Sequence, residues 1–135
     1  ISIGLVGSEM CIRDRCPANQ TGKLLSPRKI MMDVRDRLEE VGKGIDKEGK
    51  KFNDNKSLLN YISNEELWAC TSCNACTEAC PINIDPLSII IDLRRYLVME
   101  ESAAPMELNT IFNNIENNGA PWQFPAADRL NWKDE

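Results

Sequence analysis

Cys70, Cys73, Cys76 and Cys80 follow the spacing C-x₂-C-x₂-C-x₃-C, and Pro81 comes directly after the last of them. Corners of an iron–sulfur cube lie a few ångströms apart, so cysteines at every third position on one tight loop can wrap three corners. This order is the ligand run of a bacterial-type [4Fe–4S] site. The fourth cysteine lies beyond the loop, where Pro81 stops the loop from continuing as helix. Thr71, Ser72, Asn74 and Ala75 are small or polar. They let the backbone approach the cluster and turn N–H groups toward its sulfurs.

Other chemistries fit the run less well. Structural zinc joins two separated ligand pairs, whereas here a second pair is missing and the chain has no histidine. Disulfides belong to an oxidising, secreted context that no other feature of the chain supports. A cluster enzyme, such as a dehydratase or a radical-SAM protein, needs an iron free of protein thiolate, and the radical-SAM run is C-x₃-C-x₂-C. Without histidine there is no Ser-His-Asp constellation. Neither G-x-G-x-x-G nor a P-loop is present. The expected function is therefore electron transfer, with no catalytic residues in this chain. The alternative is a zinc-stabilised interaction domain without redox activity, which would be colourless.

The 135 residues suit one domain. A formal net charge of −5 argues against a nucleic-acid partner, since a cluster held by thiolates adds further negative charge. Cysteines used as thiolates imply a reducing compartment, so a cytoplasmic location is expected, at the inner face of a membrane where other segments or partners hold it there. The longest apolar run, Leu87 to Ile91, is broken by Ser88 and is far too short to cross a bilayer.

The sequence begins with Ile1 and not Met, and reads as a fragment, with a cut also expected after Glu135. Residues 1–15 resemble a spurious peptide produced when sequencing-adaptor DNA is translated in metagenomic gene calls. They are expected to be non-native, which removes Cys11 as a ligand. Residues 16–125 are expected to form the cluster domain and 126–135 a tail. Cys16-Pro17 repeats the end of the main motif, Cys80-Pro81. In two-cluster ferredoxins the last cysteine of each run ligates the other run's cluster. The three cysteines that would precede Cys16 fall on Val6, Glu9 and Ile12, so the first motif reads as truncated. The alternative is that Cys16 is a lone core thiol and Cys80 closes the site locally.

The elements that must carry these cysteines are helical. Ser26-Pro27 reads as N-cap and first residue of a helix with Ile30, Met31, Val34, Leu38 and Val41 on one stripe, ended by Gly42 and Gly44. Ile45 to Lys56 reads as a polar loop, and Ser57 to Ile62 as a short helix turning Leu58, Leu59 and Ile62 inward. Ser63 and Glu66 make a capping box that delivers Trp68, expected to pack over the cluster. Asp85-Pro86 opens a helix to about Glu101, whose Arg94 and Arg95 are expected to be solvated. A further helix runs from Pro105 to Gly119, followed by an extended aromatic stretch, 120–125.

Three segments together resemble the heterodisulfide-reductase-related iron–sulfur proteins, with relatives among the iron–sulfur subunits of glycolate oxidase and anaerobic glycerol-3-phosphate dehydrogenase. They are C-P-A-N-Q-T-G-K-L-L-S-P-R-K-I-M-M-D-V-R-D-R-L from Cys16, I-D-L-R-R-Y-L-V-M-E and N-N-G-A-P-W. The resemblance implies a mostly α fold, an α-helical ferredoxin-like domain with cysteine loops between helices and two [4Fe–4S] clusters in the full-length protein. It implies Cys70, Cys73, Cys76 and Cys16 as ligands of one cluster, and Cys80 as a ligand of a second, truncated one. The implied partners are other oxidoreductase subunits or domains: a cysteine-rich C-C-G domain, a flavoprotein or a membrane quinone-linked subunit.

Overall fold

A computed structural model describes residues 10–133, all helix, turn and loop, with no strand among them. Of the residues 1–15 read as non-native, 1–9 lie outside the described residues, and 10–15 lie within them. The chain divides into two units, one up to Arg94 and one from Arg95.

The first unit starts in helical residues 10–14 (α1), where Ile12 is fully buried. Cys16 then caps the four-residue helix α2, Pro17–Gln20, with proline at its first position. Gly22 turns the chain with φ +79°, and the Asn19 amide donates to the Leu25 carbonyl, closing the turn. Helix α3, Pro27–Glu48, begins as its cap predicts, with the Ser26 hydroxyl accepting from the Lys29 N–H.

Its end differs from expectation. Gly42 and Gly44 lie within the helix, and Gly49 terminates it at φ +80°. Only the left-handed position requires glycine's freedom. Gly44 has another reason: the Phe52 ring lies where its Cβ would be. The expected stripe is also incomplete. Ile30 is buried, but Leu38 is exposed, because the inward position at that level belongs to Arg37. Arg37 grips Asp54 with two bonds of 2.6 Å and donates to the Lys56 carbonyl at 2.8 Å. This grip holds the Asp54 carboxyl well below the usual carboxylate range. The 49–56 loop is thereby tied to α3.

Two capping boxes follow. Ser57 and Asn60 start the 3₁₀ turn Leu58–Asn60, and Ser63 and Glu66 start α4, Asn64–Trp68. Ile62 and Leu67 are fully buried between them. Glu66 serves twice. It accepts from the Ser63 N–H at 2.9 Å and pairs with Lys29 at 2.8 Å, joining α4 to α3. Burial alone would raise the Glu66 carboxyl, but Lys29 and Ser63 outweigh it and hold it below its ordinary 4.5. A carboxyl lowered on folding contributes stability that is complete above its unfolded value and is lost as pH falls through the folded one. Glu66→Gln is therefore expected to remove part of the fall in stability below pH 4.5. The effect is about 1 kcal/mol once screening at the half-exposed Lys29 is counted. Urea melts of both chains across that range test it, and parallel stability–pH curves would refute it.

The cysteine-bearing stretch includes α5, Ala75–Glu78, and leads into α6, Pro86–Met99. Asp85 caps α6 as expected, its carboxylate accepting from the N–H groups of Leu87 at 2.9 Å and Ser88 at 3.1 Å. The unit boundary falls inside α6. In the second unit Leu97 is buried, and α7, Met106–Asn118, ends at Gly119 with φ +64°. The aromatic stretch bends back on α7, with the Asn114 amide donating to the Pro121 carbonyl. Trp122 and Phe124 are exposed. The segment Ala126–Lys133 forms 3₁₀ turns.

Candidate metal centre

Four of the six cysteines line one recess: Cys16, Cys70, Cys73 and Cys76. Its cavity volume is about 20 Å³, and Leu25, Pro27, Leu87 and Ile90 form its apolar walls. Four elements converge here. Cys16 arrives at the start of α2, the other three cysteines on the loop and helix α5, and the apolar walls come from the ends of α3 and α6.

Cys80 lies elsewhere. It is buried outside the residues that line the recess, and its sulfur accepts the Ile84 N–H at 3.3 Å. Cys11 is exposed on α1. Of the positions aligned with a first motif, 6 and 9 lie outside the described residues, and Ile12 is buried.

The loop is bent to present N–H groups to sulfur. Ser72 and Asn74 adopt left-handed conformations, with φ +55° and +62°. Such values cost non-glycine residues free energy and persist only where surroundings hold them. In the same bend the Ser72 N–H donates to the Cys70 sulfur at 3.4 Å. Asn74 turns the chain into α5, whose Ala75 N–H and the Thr71 hydroxyl lower the Cys73 thiol's pKa.

Cys76 shows the opposite tendency. Burial pushes its thiol up, and neighbouring Cys16 adds to the effect. Thiolates crowded in an apolar recess repel one another and lack water, so they need a positively charged centre to be stable there. Among the described residues no three cysteine or carboxylate side chains are close enough to chelate a single ion. The chemistry of the donor set, four cysteines on one recess, fits a [4Fe–4S] cluster.

Arg94 is a site residue that sequence reasoning missed. It is not solvated: its guanidinium donates to the Leu67 carbonyl at 2.6 and 3.0 Å and to the Cys70 carbonyl at 2.6 Å. Its partners lie 24 and 27 residues earlier in the chain, so no local signal marks it. Trp68 does not line the recess; its ring lies under Arg94, 4.9 Å from centroid to guanidinium carbon.

Comparison with known proteins agrees with this chemistry. The family described as "4Fe-4S dicluster domain" matches residues 6–84. The "Probable iron-sulfur-binding oxidoreductase FadF" of Bacillus subtilis is 33% identical over 89% of this chain and 21% of its own length. The "EtfAB:quinone oxidoreductase" of Syntrophomonas wolfei is 31% identical over 97% of this chain and 22% of its own. A component of the ferredoxin/F(420)H(2)-dependent CoB-CoM heterodisulfide reductase of Methanosarcina acetivorans is 41% identical over 37% of this chain and 31% of its own. The chain thus spans about a fifth of the length of the first two relatives. No solved structure matches it. No helix among the described residues is long and apolar enough to cross a membrane. Cysteine run, helical architecture and family match coincide, and the chain belongs to the 4Fe-4S dicluster domain family, with [4Fe–4S] as its cofactor and iron–sulfur oxidoreductases and heterodisulfide reductase components among its relatives.

Proposed function

We propose that this chain is the electron relay of a larger oxidoreductase, passing single electrons between a flavin- or quinone-linked partner and a reductase subunit or domain. The observation that carries the reading is the convergence of Cys16, Cys70, Cys73 and Cys76 on one apolar recess. A bound [4Fe–4S] cluster supplies one-electron redox chemistry there. Cys16, Cys70, Cys73 and Cys76 hold it, and four thiolates leave no iron open to a substrate. Leu25, Pro27, Leu87 and Ile90 form the apolar side of the site, and Cys73 is its exposed ligand. The Ser72 N–H stabilises charge on the Cys70 sulfur. Cys80 belongs to a second cluster. The quinone oxidoreductase activity named for the Syntrophomonas relative supports quinone at one end of the relay. The thiolate ligands support a reducing, cytoplasmic setting.

Anaerobic reconstitution with iron and sulfide tests the reading. The expected product is brown, carries about four irons and four sulfides per chain, and takes up one electron reversibly, seen as a paramagnetic signal on reduction. Bound zinc without sulfide, in a colourless protein, would overturn it in favour of the interaction domain.

A further inference from the structure

We propose that Arg94 is a positioning residue for the cysteine loop, clamping the backbone on both sides of Cys70 and adding a positive charge that favours the reduced site. The proposal rests on the relay reading and concerns a residue outside the cysteine motif.

The geometry is that of a built clamp. Nε and Nη2 both donate to the Leu67 carbonyl, Nη2 also to the Cys70 carbonyl, and Nη1 reaches the Ser72 hydroxyl at 3.4 Å. Leu67 O, at the end of α4, also accepts the Cys70 N–H at 3.4 Å, so Arg94 braces a turn that already closes on itself. Ser72 has φ +55°, and its N–H donates to the Cys70 sulfur. Arg94 therefore touches the residues before, at and after the first ligand. It also follows Leu87 and Ile90 on one face of α6, at i+7 and i+4, so the helix that walls the recess also carries the clamp.

Arginine is suited to this task. Its planar fork reaches two carbonyls at once and stacks on an indole, as it does on Trp68. Lysine would keep the charge as a point and lose the fork. The charge matters because a cube with four thiolates is anionic and becomes more so on gaining an electron. A nearby cation favours that gain. In the redox step the cluster gains one electron, the mediator loses one, and no bond at Arg94 forms or breaks.

The test compares the full chain with Arg94→Gln and Arg94→Lys after anaerobic reconstitution. It measures iron release to a chelator and the midpoint of a mediated redox titration. Arg94→Gln should release iron at least about tenfold faster and shift the reduction equilibrium toward the oxidised form by about tenfold, which is about 59 mV for one electron. Arg94→Lys should release iron as fast as the glutamine variant yet stay within about threefold of the parent's reduction equilibrium. Parent-like release and potential in both variants would overturn the proposal. If glutamine prevents cluster binding altogether, the lysine variant decides: fast release supports the clamp and parent-like release overturns it. Should the parent itself take up no cluster, the relay reading fails separately. The clamp is then read in the cluster-free chain by amide hydrogen exchange. Faster exchange confined to residues 70–73 in Arg94→Gln supports it. Unchanged exchange, or loss of protection throughout the unit, overturns it.

Discussion

Cys16→Ala is expected to strip the chain of its cluster, or to leave iron that a chelator removes within minutes, while Cys80→Ala keeps about four irons. Cys16 lines the recess with Cys70, Cys73 and Cys76, and lies close enough to Cys76 to raise its thiol. Cys80 is outside that lining, its sulfur engaged by the Ile84 N–H. Losing one of four thiolates leaves an iron corner to water or added thiol, and the cube becomes open to oxygen and chelators. Iron and sulfide assays after desalting, with visible absorbance followed over time, give the answer. If Cys16→Ala keeps its four irons and Cys80→Ala loses them, the site is closed locally, and Cys16 is a core thiol.

The second large effect is on folding. Removing the cluster should lower the stability of the first unit by on the order of 4 kcal/mol or more, as for a ligand far above its dissociation constant. Helices α2, α4 and α5 have four, five and four residues. Isolated helices shorter than about 12–15 residues are marginal in water. Left-handed backbone at Ser72, Asn74 and Asn83 adds a cost of about 1 kcal/mol or more at each position. Helix α3 has 22 residues, a side-chain cap and a buried Ile30, and should keep its helicity. The cluster-free chain should thus lose part of its far-UV helical signal and melt earlier and less sharply. Thermal and urea unfolding followed by circular dichroism, with and without cluster, checks this. The same transition in both forms would show that the cysteine segments fold without their metal.

Helix beginnings were legible because each is written in a few adjacent residues. Ser26-Pro27, Ser63 with Glu66 and Asp85-Pro86 satisfy orphan N–H groups within one turn, whatever the rest of the chain does. Endings were less legible. Gly42 and Gly44 look like stops, but a glycine ends a helix only when its backbone turns left-handed, and Gly49 is the one that does. The α3 stripe misled for a related reason. Periodicity identifies an apolar face, but Arg37 gains more from Asp54 and the Lys56 carbonyl than Leu38 gains from burial at that level.

The chemistry was readable from cysteine spacing. Cys70, Cys73 and Cys76 stay close together because they sit at every third position of one tight loop, and their spacing with Cys80 is that of cube ligands. Which distant groups meet that loop depended on packing. Packing set Cys16 on the recess with Cys70, Cys73 and Cys76, kept Cys80 outside the lining, and turned Arg94 from an expected surface charge into a donor for the Leu67 and Cys70 carbonyls. Those outcomes rest on contacts between segments tens of residues apart. Such contacts follow from how helices pack: the Cys16-Pro17 repeat pointed to the placing of Cys16 and Cys80, but no local pattern marks Arg94.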